Sequence, residues 1–97
     1  MAELSIDLMW TYAADAEFPN RHTITFSSAQ QVESDAAPAW GGSESATNPE
    51  QALAAAMASC HMMTFLALAK KAKWIISQYS DHATAHLGKN STGQMAV

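Results

Sequence analysis

The sequence is poor in positive charge, in thiols and in unbroken apolar runs. Five Lys+Arg stand against nine Asp+Glu, a net charge of −4. So few cations cannot form the basic stripe that a phosphate backbone requires, which argues against nucleic acid as a partner. A single Cys rules out a disulfide within these residues. Cytoplasm is then the expected compartment, and the thiol is either inert filling or reactive. The longest mostly apolar run, Ala52 to Ala69, is interrupted by Ser59, His61 and Thr64. It is expected to be a buried helix, with no membrane role. Glu3 and Asp7 near the start are not preceded by a basic region and an apolar core, so no signal peptide is expected.

The residues that are present suit a globular chain. Apolar residues make up 48% and charged residues 14%, a richer apolar fraction than disordered segments carry. A chain of 97 residues is expected to form a single domain, 1–97. At that size a domain buries only about 60–65% of its unfolded surface, so stability is marginal and a partner is useful.

Leu4, Ile6, Leu8, Trp10 and Tyr12 alternate with Glu3, Ser5, Asp7 and Thr11, the period of a half-buried strand. Pro19 and Asn20 break the chain, and Thr23-Ile24-Thr25-Phe26 is β-branched and aromatic, predicting a second strand in a hairpin with the first. Gln30–Glu33 adds a short strand. From Ser34 to Thr47, Pro38 and Gly41-Gly42 with many Ala and Ser predict an ordered loop. Thr47 or Asn48 then suits a helix N-cap, Pro49 the first turn, and Glu50 and Gln51 the positive end of the dipole. The helix is expected to run to about Lys73, with Lys70, Lys71 and Lys73 at its negative end. Trp74 to Leu87 alternates again and predicts a third long strand. Lys89–Gln94 reads as a turn, and Met95-Ala96-Val97 as the start of a returning strand. The chain stopping there suggests that the natural domain continues. The expected class is α+β: an N-terminal β-hairpin or small antiparallel sheet, one long central buried helix, then further antiparallel strands.

Within the helix, Leu53, Met57, Cys60, Thr64 and Leu68 fall at three- and four-residue spacings, and Ala54, Ala55 and Ala58 allow close approach of another backbone. A free Cys in such a stripe is ordinarily a small buried hydrophobe. The residues around it point elsewhere. Asn48-Pro49-Glu50-Gln51 opens the helix, a small-residue run follows from Leu53 to Ser59, and Cys60-His61 precedes Met62-Met63-Thr64-Phe65-Leu66. Upstream stands Asn20-Arg21-His22-x-x-x-Phe26, and downstream Tyr79-Ser80-Asp81-x-Ala83. This pattern resembles the OsmC/Ohr family of thiol peroxidases, which reduce organic hydroperoxides. The resemblance implies an OsmC-like fold, a peroxidatic role for Cys60, and assistance from Arg21 and Glu50. No cofactor is expected, and no metal.

The chemistry of these residue types agrees. Peroxide cleavage needs a thiolate, and burial in an apolar helix disfavours one unless a cation compensates. Arg21, the only arginine, can hold both the thiolate and the distal peroxide oxygen while Glu50 pins its guanidinium. Each alone has a plainer reading, Arg21 as a solvated strand-edge charge and Glu50 as a helix-start carboxylate. Ten helical residues separate Glu50 from Cys60 by roughly 15 Å, so either Glu50 meets the Cys60 of a second copy or the helix bends. The resemblance implies an intertwined homodimer with sites at the interface. Met57, Met62, Met63, Phe65 and Trp40 are candidates for an apolar pocket taking a small hydrophobic hydroperoxide. A resolving cysteine, usual in this family, is missing from these residues, which leaves it to a segment beyond them or to an external thiol; a dithiol reductant is the expected partner. A metal site from His82, His86, His61 and Cys60 is disfavoured, because His82 and His86 would stand roughly 13 Å apart along a strand. The remaining alternative is a catalytically inactive scaffold or binding protein with an inert Cys60.

Overall fold

The computed structural model describes residues 3–86, 88, 89, 95 and 96. The chain divides into two compact units, Met1–Pro49 and Glu50–Val97.

The N-terminal unit is built on a three-stranded antiparallel sheet in the order β1 (Asp7–Met9), β2 (His22–Thr25), β3 (Gln31–Ser34). Leu8 faces Ile24 across the first pair, and Ile24 faces Val32 across the second, so an apolar row crosses all three strands. The alternation expected over Leu4–Tyr12 thus forms ladder bonds only in its middle. Between β1 and β2 the chain turns through Asp15, whose φ of 58° is left-handed and easier for Asp than for most side chains. The indole Nε1–H of Trp10 donates to the Pro19 carbonyl at 2.7 Å, and the Arg21 amide donates to Phe18 O at 3.2 Å. The first bond ties the end of the connection to the residue after β1, and the second closes a turn just before β2. β2 and β3 are joined by a 3-10 turn, Ser27–Ala29, closed by a bond from the Phe26 amide to Gln30 O at 2.7 Å.

After β3 comes the loop expected from its Pro, Gly and Ser content, held by a buried acid. Asp35 is only 2% exposed. Its Oδ1 accepts from the Ala36 amide at 2.7 Å and its Oδ2 from the Ser43 amide at 2.9 Å, so the buried carboxylate is satisfied by backbone donors. A 3-10 turn at Pro38–Trp40 ends on Gly41 at φ 90°. Gly42 is required for a different reason, since a Cβ there would overlap the backbone carbonyl of Ala36. The far end of the loop returns to β3 by a parallel bridge between Ser34 and Thr47. Two bonds frame it, Asp35 N–H to Thr47 O at 2.9 Å and Thr47 N–H to Glu33 O at 3.1 Å.

The second unit contains α1, Pro49–Lys71, with Glu50 in its first turn and Lys70 and Lys71 in its last. The helix stops in a Schellman motif. Lys73 N–H donates to Lys70 O at 3.0 Å and Trp74 N–H to Ala69 O at 2.8 Å, with Lys73 left-handed at φ 64°, the position glycine usually fills. The motif ends the helix two residues before the expected Lys73.

The helix is present where the sequence placed it, but the expectation of burial is not met within one chain. Of its residues only Ala69 is buried, and Leu53, Met57, Met63 and Leu68 are exposed. Its apolar side chains are spread round the whole circumference instead of forming the single stripe inferred from spacing. A helix apolar all round is normally covered on all sides. By length and composition alone α1 could cross a membrane, a test that core helices of soluble proteins also pass.

The third long strand is also corrected. From Trp74 to His86 the chain forms neither helix nor strand. Alternation fits a residue pattern to a pleat, but a strand also needs a neighbour to pair with, and this segment has no ladder partner among the described residues. It is held instead by side chains, with Phe65 of α1 and Tyr79 packing at 5.8 Å between ring centroids. Further along, β4 (Gly88–Lys89) pairs antiparallel with β5 (Met95–Ala96), as the expected return requires. The turn between them, and Leu87 and Val97, lie outside the described residues.

Candidate active site

Cys60 sits in the middle of α1 as an exposed free thiol. Four residues on, the Thr64 hydroxyl donates to the Cys60 carbonyl at 3.0 Å, the back-bond that threonine makes inside helices. Glu50 occupies the first turn of the same helix, where a carboxylate complements the dipole. Its Oε2 is buried with no hydrogen-bond partner, an arrangement costly enough to call for a donor from elsewhere. Because α1 runs unbroken from Pro49 to Lys71, Glu50 and Cys60 stay roughly 15 Å apart along its axis. No break in the helix shortens that separation, and one copy's Glu50 does not reach its own thiol.

Arg21 belongs to the N-terminal unit, immediately before β2. Its guanidinium is half-exposed, and its Nε–H donates to Glu33 Oε2 at 3.4 Å. The other carboxylate oxygen of Glu33 accepts from Thr23 Oγ1 at 2.8 Å. Thr23 and Glu33 are directly opposed in the β2–β3 register, and Arg21, two residues before Thr23, shares its face. The Thr23 hydrogen bond holds the Glu33 carboxyl below its ordinary value of 4.5, against partial desolvation, and the bond and charge of Arg21 and the charge of His22 add to the lowering. Sequence reasoning did not single out Glu33 or Thr23. The signal was present as an acid on the strand after Arg21-x-Thr23, but recognising it requires the register.

Beside the first half of α1 lies an open cavity of about 640 Å3, whose lining includes Leu53, Met57, His61, Asp81 and His86. Of the five residues expected to form an apolar pocket, Met57 contributes; Met62, Met63, Phe65 and Trp40 do not line this cavity. Among the described residues no group of three or more His, Cys, Asp or Glu is arranged to hold a metal ion.

A fold of this kind, with a small antiparallel sheet followed by a long thiol-bearing helix, can be compared with known proteins. A family model described as OsmC-like protein matches residues 41–96, a span that holds Glu50 and Cys60 and leaves Arg21 outside. The chain belongs to the OsmC-like family. A solved structure, an OsmC-like protein of unknown function from Vibrio cholerae O1 biovar eltor, is similar at 32% identity with a TM-score of 0.89. That similarity covers 100% of this chain and 69% of the other. No curated protein matches.

Proposed function

We propose that this protein is a thiol peroxidase that reduces organic hydroperoxides through Cys60, in a homodimer whose sites combine residues of two copies. The observation that carries the reading is the buried, unpartnered Oε2 of Glu50 on the same helix as an exposed free thiol. An arginine is the natural donor for such an oxygen, because its planar fork can serve a carboxylate and a second anion together. Arg21 is the only arginine of the sequence. The all-round apolar surface of α1 supports burial against a second copy, and the unbroken helix supports a site to which each copy contributes different residues.

In this mechanism the Cys60 thiolate attacks the terminal oxygen of the hydroperoxide. An S–O bond forms as the O–O bond breaks, the sulfur is oxidised to sulfenic acid, and the alkoxide leaves as an alcohol after taking a proton. Arg21 stabilises first the thiolate and then the charge developing on the departing oxygen, and Glu50 fixes the guanidinium. A dithiol reductant then attacks the sulfenic acid, releasing water and forming a mixed disulfide; its second thiol returns Cys60 to the thiol and leaves the reductant as a disulfide. The cytoplasm supplies such reductants.

The scaffold reading, with an unreactive Cys60, draws support from the engagement of Arg21 with Glu33. The two diverge in the rate at which cumene hydroperoxide and hydrogen peroxide oxidise Cys60, compared between wild type and Arg21→Ala. The peroxidase reading expects preference for the organic peroxide and a loss of about 100-fold or more in Arg21→Ala, the scale of removing one stabiliser of developing charge. Slow oxidation that ignores the arginine supports the scaffold.

A further inference from the structure

We propose that Glu33, anchored by Thr23, is a positioning residue that sets the orientation of the Arg21 guanidinium; its relevance to catalysis rests on the peroxidase reading above. The two oxygens of Glu33 are divided between two donors, Thr23 Oγ1 at 2.8 Å and Arg21 Nε at 3.4 Å. The shorter bond comes from the residue directly across the ladder, so the carboxylate is fixed by the sheet before it meets the arginine. The contact to Arg21 is made through Nε, one of five donors on the guanidinium. A carboxylate on the Nε edge restrains the plane of the group and leaves its Nη ends as the pair suited to bidentate work on a carboxylate or an anion. Orienting a long side chain in advance lowers the entropy lost when it meets its target. Glu33 thus stands behind the arginine, while the reacting atoms meet only the arginine's far side.

The single arginine makes a direct test possible, because the side-chain Nε–H region of a 15N–1H spectrum of the full chain contains one arginine signal. Glu33→Gln is expected to shift and broaden that signal, Thr23→Val to do so less, and Glu33→Asp to restore it partly. Cys60 oxidation by cumene hydroperoxide is expected to slow about 5–20-fold in Glu33→Gln, within the range of couplings between contacting groups. In the Arg21→Ala background Glu33→Gln should have no further effect on that rate. An unchanged Nε signal in Glu33→Gln overturns the inference. So does an equal slowing by Glu33→Gln with and without Arg21, because that is the mark of a merely structural role. An Nε signal that responds to Glu33 together with oxidation that ignores Arg21→Ala upholds the positioning and overturns the peroxidase reading alone.

Discussion

Gly41 and Gly42 are adjacent yet are needed for separate reasons, and the difference is measurable. Gly41 has open space around its missing Cβ but a φ of 90°, so Gly41→Ala should cost about 1–2 kcal/mol, the penalty of a left-handed L-residue. Gly42 has ordinary backbone freedom but lies against the Ala36 carbonyl, which is backbone and cannot swing aside. Gly42→Ala should therefore cost about 3 kcal/mol, the upper end for overpacking, or abolish folding. Urea titration of both variants gives the order, and a Gly41→Ala protein less stable than Gly42→Ala would contradict it. Glu33 yields a prediction of the opposite kind, dependent on pH. Its carboxyl is lowered from 4.5 in the fold, so its stabilising contribution is complete above that value and is lost as pH falls through the lower, folded value. Thermal melts from pH 7 to pH 3 should show a fall in wild type that is shallower in Glu33→Gln. Parallel curves would remove Glu33 from the acid response.

At the scale of elements, the end of α1 carries the clearest prediction. Lys73 holds a left-handed conformation that suits glycine. Lys73→Gly relieves a strain of about 1–2 kcal/mol against a smaller entropic loss, so a gain of about 0.5–1 kcal/mol is expected. A lower melting temperature in this variant would show that the lysine side chain contributes more than its backbone costs. The same position shows why this helix end was not legible. Without a glycine, the pattern of Lys70, Lys71 and Lys73 marked only a dipole end and not the residue at which the chain turns. The helix start was legible because Pro49 and Glu50 are specified by local chemistry. β2 was legible within a residue from its β-branched content, whereas β3, also placed within a residue, carries only Val32 of that kind. The segment Trp74–His86 was misread because alternation is a property of one strand and pairing a property of two. Cys60 lies within the helix that its neighbours predicted, whereas its exposure depends on what covers α1, which no spacing within the helix encodes.

At the scale of the whole molecule, the second unit leaves its long apolar helix largely uncovered. The one buried hydrophobic residue among those described is Ala69, while Leu4, Trp74 and Ile75 lie open. A chain that gains its core by association is more stable when concentrated. The melting temperature should therefore rise with protein concentration, and sedimentation should show a dimer that Met57→Lys dissociates. A monomer whose melting temperature is independent of concentration would exclude the assembly proposed for the site.

The bond from the Trp10 indole to the Pro19 carbonyl gives the molecule a built-in optical reporter. Indole emission responds to the loss of a hydrogen-bond acceptor, and this acceptor lies two residues before Arg21. With Trp40 and Trp74 replaced by phenylalanine, a single indole, excited apart from the two tyrosines, would follow the approach to that arginine in real time, without a label.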